Sequence, residues 1–180
     1  MCIYYTADLH IGHTNIIKMC NRPFSDVEEM NEALICNWNN CVTNADTVYV
    51  IGDLFFRTTV SAGKYLDRLK GRKHLIIGNH DKTWMQNTDV GKYFASVSHM
   101  EVINDGKRKI TLCHYPMMAW DAMNRMGCMI HGHIHNNRNG DYWPLMQKHD
   151  HALNAGVDVN SFHPVTFEEL VMNNQLFKAE

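Results

Sequence analysis

Thr47-Val48-Tyr49-Val50-Ile51-Gly52-Asp53 decides the reading of this chain. Five β-branched or aromatic residues in a row have the composition of a buried strand, and the run is ended by a glycine and a carboxylate. The glycine lets the backbone turn and come close to its neighbours without a Cβ in the way. The same construction recurs on both sides. Upstream, Ile3-Tyr4-Tyr5-Thr6-Ala7 runs into Asp8-Leu9-His10, and downstream His74-Leu75-Ile76-Ile77 runs into Gly78-Asn79-His80-Asp81. Ile110-Thr111-Leu112-Cys113 leads to His114, and Cys128-Met129-Ile130 leads to His131-Gly132-His133-Ile134-His135.

Helical patterns separate these runs. Ser25 and Glu28 suggest a capping box for a helix reaching about Cys41, with Val27, Met30, Leu34, Ile35 and Trp38 on one face. A second helix is expected from Val60 to Leu69, stopping at Gly71, and a third from Phe167 to Met172 after Pro164. Strands alternating with helices imply an α/β domain built on a substantially parallel sheet, one domain across residues 1–180. In such sheets ligands collect beyond the carboxyl ends of the strands, where every polar cluster named above falls.

Composition narrows the setting. A chain of 180 residues can bury roughly 70% of its unfolded surface, enough for a core without disulfides. The formal net charge of −2 argues against a partner such as long nucleic acid, which calls for a strongly basic face. Six cysteines form no C-x-x-C pair, the first residues contain no apolar signal core, and no run approaches the length of a membrane span. The expectation is a soluble cytoplasmic protein with reduced thiols and no membrane partner. Composition leaves its oligomeric state open. Twelve histidines are the compositional outlier.

Where those histidines stand is what points to chemistry. In chain order the strand ends carry Asp8, His10, Asp53, Asn79, His80, His114, His133 and His135, a set rich in imidazole and carboxylate and free of thiolate. Such donors suit divalent ions of the manganese, iron or zinc kind, whereas a calcium site would use oxygen alone. One Asp-x-His or His-x-His pair would mean little. Five such blocks, each ending an apolar run, mark a metal centre.

The blocks resemble the signature of the calcineurin-like metallophosphoesterases: Asp8-Leu9-His10, Gly52-Asp53, Gly78-Asn79-His80-Asp81, a lone His114, and Gly132-His133-Ile134-His135. The resemblance runs from residue 8 to residue 135 and implies a four-layer α/β/β/α sandwich with a dinuclear centre. It implies that Asp8, His10, Asp53 and His135 hold one ion, that Asp53, Asn79, His114 and His133 hold the other, and that Asp53 bridges them. Manganese is the first choice of metal, with iron, zinc, nickel or cobalt as alternatives. Two cations roughly 3.5–4 Å apart can share an activated water and grip a phosphoryl group during in-line attack. His80 would then protonate the leaving oxygen, and Asp81 would fix and polarise His80.

The phosphoprotein phosphatases of that superfamily carry Gly-Asp-x-Val-Asp-Arg-Gly and Gly-Asn-His-Glu. Gly52-Asp53-Leu54-Phe55-Phe56-Arg57 and Gly78-Asn79-His80-Asp81 depart from both. The chain is similar instead to compact stand-alone bacterial or phage-type members, several of which are phosphodiesterases on small substrates. The expected activity is therefore hydrolysis of a nucleotide or other small phosphodiester. A phosphomonoesterase on the same scaffold is the alternative, and a non-catalytic metal-binding interaction module the third reading. Arg22 and Arg57 are candidate phosphate contacts because a guanidinium matches phosphate oxygens, with Asn15 a weaker one. The methionines of residues 115–129 suggest either ordinary packing, a dimer contact or a pliable substrate wall. His149-Asp150-His151 reads as an exposed turn rather than a further metal site, and His131 as a neighbour of the centre.

Overall fold

The computed structural model describes residues 1–56 and 61–179. Strands β1 (Ile3–Thr6), β2 (Thr47–Ile51), β3 (Arg72–Ile76) and β4 (Phe94–Ser98) pair in chain order, all parallel. A second sheet follows, made of β5 (Met100–Asp105), β6 (Arg108–Cys113), β7 (Cys128–His131) and β8 (Ala152–Asn154). Its first pair is an antiparallel hairpin and the rest is parallel. The hairpin turns through Gly106 at φ +62°, the left-handed conformation that a two-residue connection demands.

Alternation along the strands sets the layers. In β2, Val48 and Val50 face the helices, while Tyr49 and Ile51 face the second sheet. On the helical side α1 (Thr14–Met19), α2 (Val27–Cys41), α3 (Ala62–Leu66), α4 (Asp81–Met85) and α5 (Val90–Tyr93) cover the first sheet, with Met30, Leu34, Ile35 and Trp38 of α2 buried against it. Between the sheets Tyr5, Ile51 and Ile76 meet Ile110, Leu112, Ile130 and Leu153. Beyond the second sheet Met146 of the short α6 (Trp143–Lys148) packs on Met129 and Ala152, with Met117 and Trp120 beside it. The order helix, sheet, sheet, helix is the expected one, with a thin fourth layer. At the edge, α7 (Phe167–Ala179) contacts both β1 and β8 and drives Phe167 and Leu170 between the sheets.

Several boundaries shift. The cap of α2 is Asp26, not Ser25: it accepts the Glu29 amide at 2.8 Å, and the Glu29 carboxylate reaches back to the Ser25 amide at 2.7 Å. The box is one residue later than expected because Asp26 adopts the extended cap conformation. The second helix is only Ala62–Leu66, and Val60 lies outside the described residues. The last helix runs seven residues past Met172, to Ala179, because Asn174 and Phe177 continue its buried face. β4, β5 and β8 had no place in the sequence reading.

Candidate metal centre

The strand ends converge through an unusual backbone. Asp8 (φ 56°), His10 (52°), Asp53 (55°), His133 (71°) and His135 (49°) all lie in the left-handed region. Aspartate and histidine tolerate that region better than branched residues, yet a cluster of such positions persists only where the surroundings hold it. Here the tails of β1 and β2 stay bonded past the sheet: the Asp8 amide donates to Gly52 O and the His10 amide to Asp53 O, each at 3.0 Å. The reversed backbone lets both members of Asp8-x-His10 and of His133-x-His135 face one space. Gly52, at φ +82°, lies so near the His114 ring that a Cβ there would overlap it and come within 2.8 Å of Gly78 Cα.

Into that space project the donors. Asp53 Oδ1 accepts the His80 amide at 2.8 Å, which turns Oδ2 inward, 3.4 Å from His114 Nε2 and 3.6 Å from His10 Nε2. Asn79 Oδ1 lies 3.0 Å from His114 Nε2 and 2.9 Å from His133 Nδ1. Asp8, His10 and His135 form one group able to hold an ion, and Asp8, Asp53 and His114 another. His114 presents Nδ1 to the carbonyl of Ile51 at 2.9 Å, so that nitrogen carries a proton and Nε2 is the one left to face the centre.

These residues fit a cation. Asp8 Oδ1 and His10 Nε2 are buried and have no hydrogen-bond partner among the described residues. Orphaned polar atoms of this kind are costly unless something charged engages them. Burial raises the Asp8 carboxyl to about 6, against the pull of His135 and His114. Burial also opposes ionisation of Asp53, but the hydrogen bond and charge of His114 outweigh it and hold Asp53 at about 2. Burial and the charge of His135 lower His10 to about 2, leaving a neutral imidazole suited to ligation. Burial works against charge on His114 too, yet Asp53 and Asp8 raise it to about 9. The carboxylates thus call for positive charge at the position where a divalent ion would supply it.

The supporting residues differ from the sequence reading in two places. Asp81 was expected to fix His80. Instead its Oδ2 accepts the amides of Asp53 and Gly78, both at 2.8 Å, and its Oδ1 accepts the Leu54 amide at 3.0 Å and Trp84 Nε1 at 2.7 Å. It clamps two strand-end loops together. Arg22 was expected to face phosphate, but its side chain is buried beneath the centre. It donates to Asp158 through Nε and Nη2, to Leu9 O at 2.8 Å and to Asp8 O at 2.7 Å. Its fork is committed because the strand-end turns leave those carbonyls without a ladder partner.

Asp158 is the residue the sequence reading missed. It lies past β8, and its Oδ2 is 2.8 Å from His135 Nδ1. Nearby, Asn154 Nδ2 donates to His135 O at 2.7 Å, and Asn174 of α7 accepts the Asn154 amide at 2.7 Å. The sequence signal was slight: one carboxylate in Gly156-Val157-Asp158-Val159, directly after a short apolar run. His13 is a second omission, with Nδ1 3.3 Å from His10 Nδ1 and its ring stacked on Phe56.

His80 stands at the rim, with 38% of its side chain exposed and Nε2 4.0 Å from Asp53 Oδ2. Its ring meets Phe56 and His10 edge-on. Asn15 is exposed on the first turn of α1, and Arg57 lies outside the described residues. Within 115–129, Met117 and Trp120 pack while Met118 and Met126 are exposed. His131 is fully buried beside the centre. His149 meets Trp120 edge-on and His151 faces Cys128 Sγ; neither belongs to a metal-ligating group among the described residues.

Two recesses adjoin the donors. One, of about 680 Å³, reaches them at His133 and His135 and is lined by Asn21, Asn136, Asn137 and Tyr142. The other, of about 740 Å³, reaches them at Asn79 and is lined by Lys82, Met85, Gln86, His99 and Tyr115. The Tyr115 ring lies 4.7 Å from that of His133.

Comparison with known proteins bears on the family and the fold. The family described as calcineurin-like phosphoesterase matches residues 1–144. The chain is 39% identical to protein MJ1445 of Methanocaldococcus jannaschii, over 94% of this chain and 89% of that one. It is 28% identical to the Gene 66 protein of Mycobacterium phage L5, over 86% of each. Among solved structures, AQ665 from Aquifex aeolicus superposes with a TM-score of 0.71 at 26% identity, covering 93% of this chain and 96% of that one.

Proposed function

The chain belongs to the calcineurin-like phosphoesterase family, and from that premise we propose that it is a phosphodiesterase using two divalent ions, manganese first among them, on a nucleotide or other small phosphodiester. The observation that carries the two-ion reading is the position of Asp53 Oδ2, between His10 Nε2 at 3.6 Å and His114 Nε2 at 3.4 Å. One carboxylate oxygen facing two imidazole groups at such distances suits a bridge. Asp8, His10, Asp53 and His135 would hold one ion, and Asp53, Asn79, His114 and His133 the other. Bound there, the ions would supply Lewis-acid stabilisation of phosphoryl charge and lower the pKa of water.

The protein's own residues do the rest. The left-handed turns aim the donors before substrate arrives, so little reorganisation is needed during reaction. His80, exposed at the rim and anchored through its amide to Asp53, would give a proton to a departing oxygen. The pair of recesses favours a diester over a monoester. A monoester has one substituent to lodge, whereas a diester has two, and the centre opens to a polar recess at His135 and a more apolar one at Tyr115. The same reading assigns the protein to the cytoplasm, where its six free thiols would stay reduced.

The test is hydrolysis of bis-p-nitrophenyl phosphate against p-nitrophenyl phosphate by manganese-loaded protein, with chelated protein and Asp53→Asn as controls. Faster cleavage of the diester, lost in both controls, supports the proposal. Preference for the monoester would replace it with a phosphatase, and turnover that survives chelation would remove the metal from the reaction.

A further inference from the structure

We propose that Asp158 is the positioning residue of His135, that Arg22 braces it, and that this relay makes the ion at Asp8, His10 and His135 the tighter and first-filled of the two. The proposal rests on the two-ion reading above.

The geometry is a closed chain of buried contacts. Asp158 Oδ2 lies 2.8 Å from His135 Nδ1, and the side chains of Asp158 and Arg22 are 1% and 0% exposed. Arg22 donates Nε to Asp158 Oδ1 at 2.8 Å and Nη2 to Oδ2 at 3.0 Å. The same guanidinium donates to the carbonyls of Asp8 and Leu9. One cation therefore ties Asp158 to the turn that carries Asp8 and His10. Three ligands, drawn from segments far apart in the chain, are fixed against one another through a single fork whose planarity leaves little freedom.

The two halves of the centre differ in how their imidazoles are held. His114 gives its Nδ1 proton to the neutral carbonyl of Ile51, whereas His135 faces a carboxylate. A carboxylate partner fixes the tautomer, leaves Nε2 as the ligating nitrogen and makes it more basic. Formal charge points the same way. The Asp8 half has two carboxylates among its ligands, and the Asn79 half has only the shared Asp53. Loss of such a partner from a metal-binding histidine lowers affinity by about 10–100-fold.

Manganese binding to metal-free protein, followed by titration calorimetry, reads the proposal without reference to activity. Wild type should fill two sites in two resolved steps. Asp158→Asn keeps the side-chain volume and an acceptor but removes the charge. It should weaken the tighter step by about 10–100-fold, leave the weaker step in place, and so merge the two. Arg22→Gln, which leaves the carboxylate and loosens its brace, should shift the same step in the same direction. Asp158→Glu should recover part of the loss, which a general packing defect would not allow. Unchanged affinities for both ions in folded Asp158→Asn and Arg22→Gln would overturn the relay. A wild type that binds only one ion would overturn the two-ion reading instead, with the effect of Asp158→Asn on that one ion still deciding the role of Asp158.

Discussion

The carboxylate of Asp81 grips the main chain of Asp53, its Oδ2 accepting the Asp53 amide at 2.8 Å. The same oxygen accepts the Gly78 amide, so the turn carrying the central carboxylate and the turn carrying Asn79 and His80 share one buried anchor.

Asp81→Asn would point an amide NH₂ at two of those N–H donors. Leaving buried donors unsatisfied costs about 1–3 kcal/mol, which for a chain of this size lowers the melting temperature by roughly 2–12 °C. Thermal melts in chelator, where metal binding contributes nothing, should show this fall. An unchanged melt with a large loss of rate would instead give Asp81 a direct part in positioning His80.

His80→Ala should leave the number of bound ions unchanged while slowing turnover by about 10²–10⁴-fold. The deficit should shrink for a p-nitrophenol leaving group, which departs without a proton, and be largest for an alkyl alcohol. An equal deficit for both leaving groups would rule out the acid role.

Gly52→Ala places a Cβ where His114 and Gly78 already stand, at a φ of +82° that disfavours any side chain. It should weaken metal binding on the Asn79 side and destabilise the fold by more than the roughly 1–3 kcal/mol of left-handed strain alone. Metal content after gel filtration, with circular dichroism to confirm folding, separates the two effects. Wild-type metal content would show that the His114 ring has room to move.

Chelation should lower the melting temperature. An ion at about 1,000 times its dissociation constant stabilises by about 4 kcal/mol, or roughly 8–16 °C here. Asp53→Asn, which removes the shared charge, should lose most of that shift. A melting curve indifferent to both manganese and chelator would exclude tight binding at these residues.

Lys178 carries a prediction outside the ligand set. Its ammonium donates to His149 O and Ala152 O, each at 2.6 Å, and burial lowers its pKa to about 8. Between pH 8 and the ordinary lysine value near 10.4 the unfolded chain holds a proton that the folded chain has released, so stability should rise with pH across that window. Lys178→Met should flatten the rise relative to wild type in chemical denaturation at pH 8 and pH 10.

The clustering of the candidate ligands was legible because they follow strands whose apolar composition marks them and whose spacing is short. Asp8 and His10, or His133 and His135, are two residues apart, and sequence shows that proximity directly. Asp158 was not legible, because its closeness to His135 depends on β8 pairing with β7, a contact between distant segments. Strand β4 was hidden for a different reason: Phe94-Ala95-Ser96-Val97-Ser98 is a short edge strand in which Phe94 alone is buried. The orientation of Arg22 followed neither charge nor motif. A guanidinium fits a phosphate and a carboxylate equally well, and only the folded chain decides between them.

Strand β8 and its tail divide the chain in a way the ligands do not. All seven donors lie before residue 136, yet Asn154 and Asp158, which hold the His135 turn from behind, come from the stretch that follows them. A polypeptide cut after residue 144, where the family match ends, would keep every donor atom and lose the scaffold that aims the last of them. Such a fragment would be a complete list of candidate ligands without a site, and shortening the chain to its signature blocks would disperse the site before it removed any of the signature.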